Sequence, residues 1–401
     1  MKKVFLPVLV FMFGILLAHK ALADGGYYPI VDSGDIYSGD QRAIIIQLGN
    51  TVSVTFSTAY TGEGDDFVWL IPVPTQVDPD VVREIKAQGD AELTSLDRTS
   101  APAFDYRYPS YDSGPSGCGC GPVSTSYGGG TPAEGGSQYG VTVIGTINTE
   151  DYEGVVLSGA SAADINDWLI DHFYQVSDSA AQILNYYVAA NWSFVVLKIK
   201  PSQYRHYEKE FLPAINIVYQ ASQLQFPLRI SASSTNREVH ITAYVISDQT
   251  MSSSNFKTSL LNYQNNVAGN TFDRNKFLYS AIKATLADQK GVVVMYANEF
   301  VADRPTQDLI PAPFKTTQKY YLTRLETYVF PEMMDQDIFI DPDDENRSFT
   351  VNVIVNFAMS DERRLAYLLP GSVFCAGLLR RKKGKLNKYA MAAMILLILI
   401  G

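Results

Sequence analysis

The sequence is poor in the residues that most often carry chemistry: 401 residues include three cysteines and four histidines. Three cysteines cannot staple a disulfide scaffold of the kind that small exported domains need. Three of the histidines, His172, His206 and His240, lie beyond the first segment, and none stands at metal-ligand spacing from another. The chain has no H-E-x-x-H run, no G-x-S-x-G elbow, no P-loop and no G-x-G-x-x-G after a strand. The best-marked hydrolase, NTPase and dinucleotide-binding classes therefore find no support. No repeat of solenoid period is present. Basic residues are scarce between the two ends. Setting aside three lysines in the first 23 residues and six basic residues at 380–388 leaves 23 Lys and Arg against 42 Asp and Glu, a net charge of −19. Such a body repels phosphate backbones, which excludes nucleic acid as a partner. It suits cations or basic partners, or serves solubility alone.

What is present is concentrated at the ends. Lys2 and Lys3 precede an apolar run from Val4 to Ala18, and Ala21-Leu22-Ala23 precedes Asp24. A positive start, an apolar core and a small-x-small site predict a signal peptide over 1–23 and an extracytoplasmic location, at the cell surface or in the periplasm. At the other end, Leu365 to Leu379 is apolar but broken by Pro370 and Gly371, and it runs into Arg380-Arg381-Lys382-Lys383. That order has the form of a stop-transfer signal. Tyr389 to Gly401 is a second apolar run of thirteen residues, short of the roughly 20 that cross a bilayer as a helix. The expectation for 361–401 is a basic and apolar tail that attaches the protein to a membrane. The alternative is a core strand at 365–379 followed by a processed tail. Lone Cys375 reads as a buried apolar residue or a lipid-attachment position.

The roughly 355 residues between these ends suffice for two or three domains, and 25 Tyr, 20 Phe and 3 Trp are enough to fill a core. Ala43 to Leu48 and the period-two run Val52 to Tyr60 predict a hairpin turning at Gly49-Asn50. Phe67 to Pro74 is a wholly apolar strand closed by prolines. A helix is expected over about Pro79 to Ala87. Residues 100–140 carry tyrosine, proline and glycine with no periodicity, which predicts a flexible loop. Strands follow at Val141 to Ile147 and Tyr152 to Leu157. The box Ser161-Ala-Ala-Asp164 then opens a helix with Ile165, Trp168, Leu169, His172 and Phe173 at helical spacing. A second helix spans Ser179 to Ala190, and a strand runs from Trp192 to Lys200. Pro227 to Ala232 and Val239 to Ile246 alternate as a strand pair, turning at Ser233 to Asn236. Residues 255–290 read as mostly helical. Val292 to Tyr296, Tyr320 to Leu325 and Ser348 to Phe357 read as strands. The expected fold class is α+β: β-rich antiparallel sheets, sandwich-like, with a helical pair inserted. The expected division is a β domain at 24–99, the loop at 100–140 and an α+β domain at 141–360.

Candidate site residues fall into three groups. Asp335, Asp337, Asp341, Asp343, Asp344 and Glu345 could supply several of the six to eight oxygens that Ca²⁺ takes. An EF-hand is ruled out by the missing turn glycine, and a solvated acidic turn is the plain alternative. Cys118 and Cys120 flank one glycine, as a strained disulfide, an inert loop or half of a soft-metal site with no further ligand nearby. Tyr106, Tyr108 and Tyr111 can give contact area at low entropic cost. Glu63, Asp65 and Asp66 could pair as acid and base, but they sit in a glycine turn that favours Asp for geometry alone. His172, one helical turn after Trp168, reads as a satisfied helix-face residue, and His240 as a strand residue.

Several stretches together resemble a known family: Asp24-Gly25-Gly26-Tyr27, Gln41-Arg42-Ala43-Ile44-Ile45 and Asp65-Asp66-Phe67-Val68-Trp69-Leu70-Ile71-Pro72-Val73-Pro74, followed by Gly117-Cys118-Gly119-Cys120. Asp167-Trp168-Leu169, Asn191 to Lys198 and Tyr321-Leu322-Thr323-Arg324 complete the set. They are similar to the exported prokaryotic proteins grouped as domain-of-unknown-function family 2330, over roughly residues 24–360. The resemblance implies an exported protein, often with a C-terminal membrane segment, and it carries over no functional residue. The sequence thus predicts a membrane-tethered module that binds a protein or envelope component, without a cofactor. The alternatives are an enzyme whose site gathers distant carboxylates and histidines, for which His206 or His240 beside acidic groups would be the sign, and a Ca²⁺-stabilised structural domain.

Overall fold

The computed structural model describes residues 26–31, 36–62, 66–85, 90–108, 137–138, 140–200, 211–269, 271–287, 289–302, 306, 310 and 319–357. The expected signal peptide, Cys118 and Cys120, Tyr111, His206, Glu63, Asp65 and the 361–401 tail lie outside them.

The chain opens with strands β1 (Gly26–Pro29), β2 (Ile36–Leu48), β3 (Thr51–Gly62) and β4 (Phe67–Val73), a 3-10 turn at Pro79–Val81 and β5 (Val82–Ile85). Helix α1 (Asp90–Ser100), β6 (Ala103–Arg107) and β7 (Ser137–Gln138) follow, then β8 (Val141–Asn148), β9 (Tyr152–Gly159), α2 (Ala162–Asp171), α3 (Asp178–Ala189) and β10 (Ser193–Ile199). Next come β11 (Ala214–Gln220), β12 (Leu224–Phe226), α4 (Leu228–Ser231), β13 (Val239–Ser247), β14 (Met251–Ser253), β15 (Lys257–Leu260) and β16 (Asn266–Gly269). The last elements are α5 (Arg274–Leu286), β17 (Gly291–Phe300), β18 (Tyr320–Val329), β19 (Ile338–Pro342), β20 (Phe349–Thr350) and β21 (Asn352–Phe357).

The described residues divide into two compact units, one within 26–103, 137–264 and 273–353, the other within 104–108, 265–272 and 354–357. The first unit is layered. A six-stranded antiparallel sheet of order β1-β4-β10-β9-β8-β7 faces a nine-stranded sheet of order β15-β17-β18-β13-β2-β3-β11-β5, with β20 on β17. In the larger sheet β13–β2 and β15–β17 are parallel. Trp69, Ile71, Val156, Val195 and Leu197 from the smaller sheet meet Ile45, Val54, Ile217, Ile241, Val245 and Leu325 from the larger in one core. Each such side chain, fully buried, contributes about 1.5–3 kcal/mol. Period two sends the alternate residues outward. Val68, Leu70, Leu157 and Phe194 pack under Ile165, Leu169, Leu184 and Tyr187 of α2 and α3. Ile44, Ile46, Tyr244 and Leu322 pack under Leu93 and Leu96 of α1. Strand β4 is covered on both faces, which is why its sequence is apolar throughout. Both large sheets combine strands from 26–85 with later ones, side by side in the smaller sheet and interleaved in the larger.

The expected β-rich α+β class is what the chain adopts, with antiparallel pairing predominant. Three local expectations give way to long-range pairing. Over the described part of the helix expected at Pro79 to Ala87, residues 79–85, the chain is not α-helical. Asp78 caps only a 3-10 turn, its side chain accepting from Asp80 N at 2.9 Å, and Val82–Ile85 then pairs with β11. Pro227 to Ala232 is not a strand but the short α4, whose Arg229 N donates to Asp337 at 2.7 Å. The following Ser233, Ser234 and Thr235 are buried rather than a solvated turn. Ser234 Oγ accepts from Tyr27 N of β1 at 2.7 Å, and Thr235 Oγ1 donates to Ser38 O of β2, so this segment bonds a strand of each large sheet. Within 255–290 only Arg274–Leu286 is helical, preceded by two short strands.

The second unit carries a three-stranded sheet, β16-β21-β6. Part of the expected 100–140 loop is thus strand, in β6 and β7. The remaining sheet, β12-β19-β14, belongs to the first unit.

Candidate functional site

Two groups of side chains stand out. The first crosses the α1-facing side of the nine-stranded sheet. Strands β13 and β18 place His240 opposite Tyr328, Thr242 opposite Glu326 and Tyr244 opposite Arg324. The alternation that sends Ile241, Ala243 and Leu325 into the core turns these six the other way. Glu326, 4% exposed, holds His240 Nε2 at 2.8 Å on one oxygen and Arg324 Nε at 2.6 Å on the other. Arg324 Nη1 reaches Asp97 of α1 at 2.7 Å, and Tyr244 OH donates to the same carboxylate at 3.2 Å. Burial disfavours the charge on Glu326, but Arg324 and His240 outweigh it and hold its carboxyl down at about 2. Burial works against the charge on Arg324 as well, but Glu326, Tyr244 and Asp97 outweigh it and keep the guanidinium charged. The Tyr328 ring lies parallel to the imidazole at 4.3 Å, and Tyr279 of α5 packs edge-on against Tyr328. The His240 side chain stays 25% exposed. An imidazole oriented by a buried carboxylate can move a proton.

The second group lies on the small sheet of the second unit. Strand β6 and Tyr108 just after it alternate Phe104, Tyr106 and Tyr108 with Asp105 and Arg107, which pair with each other at 2.8 Å. Tyr106 stacks between Phe104 at 6.2 Å and Phe357 of β21 at 6.1 Å. Tyr108 lies on Phe357 at 4.7 Å and 8°. Phe272 closes on Phe104 at 5.4 Å. The strip is least covered at one end, where Tyr106 is 44% and Tyr108 67% exposed. Paired aromatic rings keep few rotamers, so they can meet a partner at little entropic cost.

The family model for "Uncharacterized protein conserved in bacteria" (DUF2330) matches residues 20–340. The chain belongs to the DUF2330 family. No curated protein matches it. The crystal structure of baculovirus P35 is similar over 77% of this chain and 97% of that one, at 10% identity and a TM-score of 0.31, a likeness too loose to bear on function.

In this DUF2330 protein the acidic run 335–345 does not form one cluster. Its centre is β19, and extended chain between Asp337 and Asp341 spans about 13 Å. Asp335 pairs with Lys290, Asp341 accepts from Gln223 at 3.2 Å, and Asp343 accepts from Arg347 Nη2 at 3.1 Å. Asp337 turns inward, 1% exposed, and accepts from Tyr187 OH at 2.8 Å, Gln225 Nε2 at 2.6 Å and Arg229 N at 2.7 Å. Burial pushes its pKa up despite these donors. Asp344 and Glu345 remain exposed. Among the described residues no three His, Cys, Asp or Glu side chains converge as a metal site. Asp66 is paired with Lys198 at 2.8 Å. His172 caps α2, its Nδ1 2.7 Å from Trp168 O and its ring stacked on Trp168 at 3.9 Å. Among the described residues no helix is long and apolar enough to cross a membrane. A polar cleft of about 210 Å³ is lined by Gln47, Gly49, Asp248, Gln249 and Pro342, away from the His240 group.

The sequence singles out Tyr106 and Tyr108 but not Phe104, Phe272 and Phe357, on which they stack or close. The period-two spacing of 104, 106 and 108 was a usable signal for the first. The sequence also leaves unmarked the partnership of His240 with Glu326, which are 86 positions apart and meet only through sheet register.

Proposed function

We propose that this protein is an exported module, tethered to the membrane by its C-terminal segment, that binds at the cell envelope through the aromatic strip of its small sheet. The observation that supports this most is the strip itself. Stacked rings rise to an exposed end at Tyr108, and the other face of β6 carries Asp105 and Arg107, which pair with each other. Exposed aromatic surface of this kind marks contact sites more often than it serves stability. Protease added to intact cells, or to cells with the outer membrane opened, should cleave the chain, and the chain should fractionate with membranes; cleavage only after lysis of the inner membrane would sink the compartment. Backbone hydrogen exchange at 103–108 and 352–357 should slow when the chain passes from detergent into envelope vesicles. Unchanged exchange there would remove the strip as the contact face.

A second reading rests on the His240–Glu326 contact at 2.8 Å, which supports acid–base chemistry at the imidazole. Turnover of an ester, peptide or phosphoester panel, abolished by His240→Gln with the fold intact, would establish it. Turnover that survives that change would refute it.

A further inference from the structure

We infer that the partner of the aromatic strip is the lipid–water interface itself, so that the small sheet is a second membrane contact beside the tail. This rests on the tethered reading above and goes further, by naming what the strip meets. Three observations carry it.

The first is chain length. Phe357, which stacks on both Tyr106 and Tyr108, is eight residues before Leu365, where the apolar run to Leu379 begins. Eight residues fully extended reach at most about 28 Å. If 365–379 enters the bilayer, its first residue holds Phe357 within that distance of the surface, whatever path the intervening chain takes.

The second is chemistry. Tyrosines with an apolar ring and a polar hydroxyl are the residues that gather at the headgroup level, and surface-bound elements sit about 5–10 Å into that boundary. The strip supplies two exposed tyrosines at its open end, with phenylalanines behind them.

The third is charge. The body of the chain is strongly acidic, which would hold an ordinary surface away from anionic lipid. On β6 the only charges are Asp105 and Arg107, and they neutralise each other. The strip therefore approaches a bilayer without the repulsion that the rest of the chain brings.

The test places one reporter in the strip. The three native tryptophans, Trp69, Trp168 and Trp192, are all buried, so Tyr108→Trp adds an exposed indole at a position already aromatic. The full-length variant is reconstituted into phosphatidylcholine vesicles with bromine at either shallow or deep acyl positions. The expected result is emission from the added indole shifted to shorter wavelength and quenched more by shallow than by deep bromine, with the wild-type signal unmoved. Flotation of the protein with the vesicles while the added indole stays unquenched and open to acrylamide would overturn the lipid contact, keep the tether, and leave the strip to a soluble ligand. Failure to float would overturn both the contact and the tether. Adding Tyr106→Ser and Phe357→Ser to the Tyr108→Trp variant gives a second reading: quenching should fall while flotation persists, and unchanged quenching would show that the strip does not place the reporter.

Discussion

Glu326 sits between Arg324 and His240 with almost no access to water, so its removal leaves a buried cation with only Asp97, itself half-exposed, as a carboxylate partner. Glu326→Ala should cost about 3–5 kcal/mol in urea unfolding. The double change Arg324→Met/Glu326→Leu should cost less than either single change, because it removes both charges and keeps the volume. If the losses simply add, the pair contributes nothing as a pair. The carboxyl is held at about 2, below its ordinary 4.5. A carboxylate with a depressed pKa stabilises the fold fully above the ordinary value and loses that contribution as pH falls towards the lowered one. The stability of the wild type should therefore decline by roughly 3 kcal/mol between pH 4.5 and 2 on this account, and Glu326→Gln should flatten that limb. Asp337 has the opposite sign, being pushed up by burial. Its worth lies in the donors it satisfies. Asp337→Ala should cost about 1–3 kcal/mol for each of Tyr187 OH and Arg229 N left without an acceptor, whereas Asp337→Asn should recover part of the loss.

At the scale of elements, the α2 capping box is complete: Ser161 N donates to Asp164 at 2.7 Å, and Asp164 N donates back to Ser161 Oγ at 3.2 Å. Ser161→Ala should lower stability by about 1 kcal/mol, and a Tm unchanged by that substitution would mean the helix is held by packing alone. Strand β19 makes a different forecast. Because the carboxylates on it and on either side of it are engaged by Lys290, Gln223, Arg347 and Tyr187 in different places, excess Ca²⁺ or chelator should leave the Tm where it is; a shift of several degrees with Ca²⁺ would show that the acidic side chains gather after all. Elements fixed by their own neighbours were legible in the sequence. The hairpin at Gly49-Asn50, the apolar β4 and the two capped helices all follow from periodicity and turn chemistry. Elements fixed by a distant partner were not. Val82–Ile85 becomes a strand because β11 lies beside it, and Leu228–Ser231 becomes a helix over a carboxylate more than 100 positions away. The same rule divides the candidate sites: Tyr106 and Tyr108 stand two residues apart and show their spacing, while His240 and Glu326 meet through register alone.

At the scale of the molecule, both large sheets draw strands from the first hundred residues and from those after 140, and they share one core. Separate melting of a 24–99 segment is therefore not expected. Trp69 reports the core between the sheets, and Trp168 and Trp192 report the layer under α2 and α3. Near-ultraviolet dichroism and calorimetry should give one coincident transition for both layers; two resolved steps would mean that the sheets unfold independently.

The parallel pairing of β2 with β13 joins Ile46 to Ile246, two hundred positions along the chain. The middle of the larger sheet therefore cannot close until most of the polypeptide has been made, and the hairpin of β2 and β3 waits with an open edge. Under the export proposed above, that delay is useful. A fold whose central seam joins residues two hundred positions apart stays open while the chain threads a narrow channel, and it sets its shape on the far side.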